Sequence, residues 1–95
     1  MTKLRVAHIR EQGVDLIIVP LDKSFASKSA ADQQSALEAL QMSATLAGLA
    51  GDVVPVWESA NNGMAFLAHK NYHPYFMSIN LEFVFANLNR DLEVP

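Results

Sequence analysis

The 95-residue sequence contains no cysteine, so it offers no disulfide framework and no thiolate metal site. It also lacks an apolar run of the length that a membrane-spanning helix needs, about 20 residues. Lysine and arginine total seven and are scattered, against ten acidic residues, which leaves a net charge of −3. Nucleic-acid binding normally needs a basic face, because phosphate neutralisation supplies much of the affinity. The sequence therefore disfavours both nucleic-acid and membrane binding.

The first residues, MTKLRVAHIREQG, lack the uninterrupted apolar core of a secretory signal peptide. Nothing in the composition indicates an oxidising compartment, so we expect a cytoplasmic protein. The length suits a single domain over residues 1–95. Hydrophobic residues make up 51% of the chain, which is typical of a folded protein and not of a disordered one.

The longest helical pattern covers residues 29–50. Ser29 is a favoured N-cap residue, Asp32 suits the positive end of the helix, and Gly48 or Gly51 can end it. One apolar stripe contains Leu37, Leu40, Ala44 and Ala47, and a second contains Ala39, Met42, Leu46 and Leu49. A helix with two apolar sides is usually covered on both. We expect a sheet on one side and, on the other, either the second helix or a second subunit.

Four segments have strand patterns. Residues 3–10 alternate, residues 11–13 form a hairpin loop with Gly13, and residues 14–21 are apolar and β-branched. After the helix, residues 52–58 form a strand whose Pro55 predicts an edge position or a bulge, because proline cannot donate to a ladder. An Asn62–Gly63 turn then leads into a return strand over residues 64–69.

The last helical pattern covers residues 79–92, with Ser78 as N-cap and an apolar stripe from Leu81 to Leu92. The element order is therefore ββαββα. Such a chain packs as an α+β fold, with a four-stranded, mostly antiparallel sheet and two helices on one face.

Aromatic and histidine side chains suggest one ligand-binding cluster, because aromatics with a polar end are favoured in binding sites. Its predicted members are Trp57, His69, Tyr72, His73 and Tyr75. The alternative is that Trp57 belongs to the core and the tyrosines to a half-buried rim. His69 and His73 have the i, i+4 spacing of a helical metal pair, but Pro74 argues for a loop here and no third ligand is in place. We predict no metal site and no cofactor.

No catalytic motif is present, and the carboxylates are separated from one another along the chain. We therefore expect a non-catalytic interaction or regulatory domain that acts as a homodimer. The predicted interface residues are Met42, Leu46, Phe76, Ile79 and Phe83. The alternative function is a small-ligand binder or minor enzyme that uses the loop from His69 to Phe76 with Trp57 and His8. A protein partner of different sequence is a third hypothesis.

Overall fold

The structure, a computed structural model, describes residues 2–60 and 63–94. Within them the strands form one sheet in the spatial order β4-β3-β2-β1-β5. The strands are β1 (Thr2–Glu11), β2 (Val14–Pro20), β3 (Asp52–Glu58), β4 (Met64–Phe66) and β5 (Arg90–Val94). The helices are α1 (Ala30–Leu46), α2 (His73–Met77) and α3 (Leu81–Ala86), with single 3₁₀ turns at Lys23–Ser27 and Lys70–Tyr72.

The first hairpin forms as predicted. β1 and β2 pair antiparallel around Gln12 and Gly13, whose φ angles are 50° and 80°. Positive φ at both central residues gives the turn a twist that matches the flanking strands. The cross-strand partners Arg10 and Asp15 also form an ion pair at 3.2 Å. Because this pair is exposed, it is worth at most about 1 kcal/mol, and the turn and the apolar pattern set the register.

The central helix also forms, and it ends at Leu46 instead of near residue 50. Its Ser29 Oγ accepts a hydrogen bond from the Asp32 amide at 3.1 Å, as predicted for the N-cap. Gly48 follows the helix with φ +79°, and the Leu49 amide donates back to the Ala44 carbonyl at 3.0 Å. This is the left-handed glycine termination that the sequence predicted.

The prediction of a mostly antiparallel, four-stranded sheet needs correction. The sheet is mixed, because β2 and β3 pair in parallel, with Leu16 opposite Asp52 and Pro20 opposite Val56. Parallel neighbours need a long crossover connection, and α1 lies within it.

The edge position predicted from Pro55 is also wrong, because β3 lies between β2 and β4. Proline is tolerated there because its carbonyl still accepts from the Leu67 amide at 3.0 Å, while the missing N–H removes the return bond. Strand β4 ends at Phe66, one residue before Leu67, whereas the predicted return strand continues to residue 69. The predicted Asn62–Gly63 turn includes Asn62, which lies outside the described residues, but β3 and β4 on either side of it do pair antiparallel.

The predicted helix over residues 79–92 is wrong in its extent and in its cap. Asn80, not Ser78, caps α3, since Asn80 Oδ1 accepts from the Phe83 amide at 2.8 Å. Helix α3 ends at Ala86, and residues 90–94 form β5, which pairs antiparallel with the first half of β1. The fold is therefore α+β with five strands and three helices, and the simple ββαββα order does not hold.

The prediction that the helices share one face of the sheet is wrong. Helix α1 lies on one face, and α2 and α3 lie on the other. One core lies under α1 and consists of Val6, Ile17, Val19, Leu40, Ala44, Val53 and Leu92. The second core lies under α2 and α3 and consists of Ala7, Leu16, Ile18, Val54, Val56, Phe76 and Val84. Successive strand residues alternate between these two cores, so the sheet is the middle layer of three.

Gly51, immediately before β3, provides a test of this packing. Its φ is +121°, and an added Cβ would lie against the Asp15 carbonyl of β2. We expect Gly51→Ala to lower the free energy of unfolding by roughly 3–4 kcal/mol, from backbone strain plus overpacking. Gly48→Ala is the matched control, because its φ is similarly positive but no atom lies within 4 Å of the added Cβ. That control should cost only about 1–2 kcal/mol. Urea unfolding measures both, and equal losses would contradict the close approach of β2 and β3.

Candidate functional site

The predicted aromatic cluster does not come together as one site. Trp57 lies opposite Ala65 near the end of β3 and is 8% exposed. Its ring packs against Phe25 with centroids 4.9 Å apart, in the core next to the 3₁₀ turn that precedes α1. Asp52 begins the same strand, so about 16 Å of strand separates it from Trp57. The core position that was the alternative for Trp57 is the observed one.

A cleft with a largely apolar lining lies at the other end of β3, between α1 and the chain that follows β4. Its cavity volume is about 460 Å³, within the range of small-ligand sites. Leu37, Val53 and Leu67 supply apolar lining. Glu38, Asp52, His69 and Tyr72 supply polar groups around them. Two predicted ligand-binding residues, His69 and Tyr72, therefore do line one cleft.

A short hydrogen bond joins two walls of this cleft. The Tyr72 hydroxyl donates to Asp52 Oδ2 at 2.7 Å, which links the 3₁₀ turn after β4 to the start of β3. This hydrogen bond raises the pKa of Tyr72 above 10.0, and partial burial and the negative charge of Asp52 act in the same direction. The phenol therefore remains a donor at neutral pH and orients the carboxylate.

The two histidines are held by different local contacts. His69 Nδ1 accepts from the Asn71 amide at 3.4 Å, so the neutral ring carries its proton on Nε2. His73 lies edge-on to Phe66, with centroids 5.2 Å apart, and its Nε2 is 3.1 Å from the Ala68 carbonyl oxygen. In residues 2–60 and 63–94, no group of three or more His, Cys, Asp or Glu side chains is arranged to hold a metal ion.

Tyr75 lines a second, more polar cleft on the side of the β1–β2 turn. This cleft has a cavity volume of about 790 Å³, and Glu11, Tyr72 and Ser78 are among its other lining residues. Burial raises the pKa of Tyr75, and the nearby negative charge of Glu11 adds to the effect. Tyr72 thus lies between the two clefts, while Tyr75 belongs to the second alone.

His8, assigned with Trp57 to the alternative site, lines neither cleft. Its Nε2 lies 2.8 Å from the Ala50 carbonyl oxygen, in the loop between α1 and β3. Its backbone is held by Asn89, whose Oδ1 accepts from the His8 amide at 2.8 Å and whose Nδ2 donates to the His8 carbonyl at 2.9 Å. These contacts hold His8 within the fold, outside both clefts.

The predicted interface residues divide between core and surface. Phe76 is 1% exposed and belongs to the core under α2 and α3, so its side chain does not reach a partner, and Ile79 is half-buried beside it. Met42 and Leu46 on α1 are 67% and 82% exposed. On the opposite layer, Phe83 is 38% exposed. The chain therefore carries apolar surface on both helical layers.

Sequence reasoning missed the carboxylates of the cleft. Asp52 and Glu38 are among the carboxylates whose separation along the chain argued against a site. The signal in the sequence is that Glu38 lies on the predicted helix and Asp52 begins the strand that follows it. No family model, curated protein or solved structure matches the chain. Among the described residues, no helix is long and apolar enough to cross a membrane.

The Tyr72–Asp52 contact predicts a specific titration. In the folded protein Tyr72 should lose its proton above pH 10.0, so the stability that this bond supplies is present below pH 10.0 and is lost as pH rises through the folded pKa. Asp52→Asn removes the charge and weakens the acceptor, and should bring the pKa of Tyr72 back toward 10.0. NMR of the tyrosine rings measures this change. Tyr75 is the internal control, because its raised pKa has other causes; an unchanged Tyr72 titration would contradict the assignment.

Proposed function

We propose that this protein is a non-catalytic interaction domain that acts as a homodimer, with α1 of one copy packed antiparallel against α1 of the other. The observation that carries the proposal is an exposed stripe on the outer side of α1. It consists of Ser35, Ala39, Met42 and Leu46, all exposed to solvent. The spacings of four, three and four residues place these side chains in one line along the helix.

The order of sizes along this stripe is self-complementary. The small residues occupy its N-terminal half and the large ones its C-terminal half. In a two-fold symmetric, antiparallel pair, Ser35 lies opposite Leu46 of the second copy, and Ala39 lies opposite Met42 of the second copy. Each large side chain then fills the space left by a small one, as a closed two-fold interface requires. A parallel pair would place like sizes together and leave gaps.

Electrostatics favour the same arrangement. Helix α1 contains no lysine or arginine, and its charged residues, Asp32 and Glu38, lie outside the stripe. Packing the stripe therefore buries no charge. In an antiparallel pair, the partly positive N-terminus of each helix also lies beside the partly negative C-terminus of the other.

The apolar surface of the opposite layer is less suited to this role. Phe83 and Phe85, 38% and 57% exposed, are two residues apart on a six-residue helix. They therefore point about 200° apart around its axis. Met77, 77% exposed, belongs to a separate short helix. These side chains do not form one stripe, whereas those of the 17-residue α1 do.

Charged substitutions distinguish the two layers. The double variant Met42→Glu, Leu46→Glu should raise the dimer dissociation constant by about 100-fold or more, because each copy would bury unpaired carboxylates. Both side chains are exposed in the single chain, so the fold should persist. Light scattering over a dilution series measures mass, and circular dichroism checks the fold.

Phe85→Glu is the matched control on the opposite layer, and it should remain as dimeric as the unmodified protein. A folded monomer from Phe85→Glu together with a dimeric double variant would move the interface to α2 and α3. A monomeric unmodified protein at all concentrations would exclude the homodimer.

A further inference from the structure

We propose that the cleft between α1 and the start of β3 binds a small organic cation, an ammonium group carried on a compact apolar body. This site lies within a single chain and does not depend on the homodimer. It differs from the predicted aromatic cluster, since Trp57, His73 and Tyr75 do not line it.

The interior of the cleft suits an apolar body. Between the helix and the chain after β4, the cleft is lined by the apolar side chains of Leu37, Val53, Leu67 and Ala68. Leu37 also packs on the core under α1, so this lining is continuous with fixed structure. The cavity volume of about 460 Å³ accommodates a molecule of roughly ten non-hydrogen atoms with its hydration.

With histidine counted as neutral, the charge at the cleft has one sign. Glu38 on α1 and Asp52 on β3 both line it, and no lysine or arginine does. The Tyr72 hydroxyl donates a hydrogen bond to Asp52 Oδ2 at 2.7 Å and thereby orients the carboxylate. The other oxygen, Oδ1, can accept a hydrogen bond from a ligand. A carboxylate held in this way forms a strong hydrogen bond with a cationic donor and disfavours an anion.

Aromatic rings complete the environment of a cation. His69 and Tyr72 lie edge to face, with ring centroids 6.3 Å apart, and both line the cleft. The electron-rich face of a tyrosine ring attracts a nearby ammonium group. Apolar lining, two carboxylates that accept hydrogen bonds and a tyrosine therefore favour the same class of ligand.

The experiment compares two probes with one shared body, phenethylammonium and phenylpropionate. Two-dimensional amide NMR spectra are recorded while each probe is added to the full chain. Phenethylammonium should shift amides of residues 52–54 and 67–69 in a saturable way, and added salt should weaken this binding. Phenylpropionate should not. Equal binding of both probes, or no saturable binding of phenethylammonium, would overturn the proposal, as would shifts confined to the second cleft around Glu11 and Tyr75.

Matched variants test the acidic groups. Asp52→Asn and Glu38→Gln should each weaken phenethylammonium binding by about tenfold, because each removes a charged partner while keeping the side-chain shape. Glu93→Gln makes the same charge change on β5, at the opposite edge of the sheet, and should leave binding unchanged. A loss as large in Glu93→Gln would mean that net charge, and not the cleft, attracts the probe. The Glu38 side chain makes no hydrogen bond to residues 2–60 or 63–94, so the result of Glu38→Gln stands even if Asp52→Asn disturbs β3.

Discussion

The parallel pairing of β2 with β3 is the constraint on which the other elements depend. Both strands are buried along most of their length on both faces, so each face of the sheet must be covered. A parallel neighbour also requires a crossover, and α1 both makes this connection and covers one face. The segment after β4 returns over the other face as α2 and α3. The three-layer arrangement thus follows from one pair of strands.

The cleft lies where the Gln41 side chain of α1 forms hydrogen bonds with the backbone at the start of β3. The Gln41 amide donates to the Gly51 carbonyl at 3.1 Å, and its Oε1 accepts from the Val53 amide at 2.9 Å. One side chain therefore satisfies backbone groups on both sides of Asp52. This pairing fixes the start of β3 against the helix and leaves the Asp52 side chain free to meet Tyr72. The Gln41 side chain therefore positions the backbone around Asp52, and the Tyr72 hydroxyl orients its carboxylate.

The elements that were predicted correctly are those whose structure depends on residues close together in the sequence. The β1–β2 hairpin depends on one turn, and α1 depends on Ser29 and Gly48, so adjacent residues carry the information. β5 could not be predicted in this way. Leu81, Val84, Leu88 and Leu92 have helical spacing, but Leu92 is placed by pairing with Leu4, far away in the sequence. Tertiary pairing overrode the local period.

The continuous apolar run of β2 contains a signal for helices on both faces of the sheet. A strand buried on both faces is typical of the interior of a parallel or mixed sheet, which places helices on both sides. The assumption that both helices share one face conflicts with that pattern. The site prediction was affected by a different feature, the register of the second hairpin. His69 and Tyr72 were predicted to cluster with Trp57, but Trp57 pairs with Ala65, and the cleft places His69 and Tyr72 with the start of β3.

The distribution of residues around α1 joins the two proposals. A surface helix usually turns its polar side to water and its apolar side to the core. In α1 the polar residues Gln34, Glu38 and Gln41 instead lie along the cleft, and Gln41 is bonded to the loop and strand beyond it. The side most open to water carries Ala39, Met42 and Leu46. Packing within one chain accounts for the buried side only. The proposed cation site would account for the polar strip along the cleft, and the proposed pairing with a second copy of the helix would account for the apolar outer side.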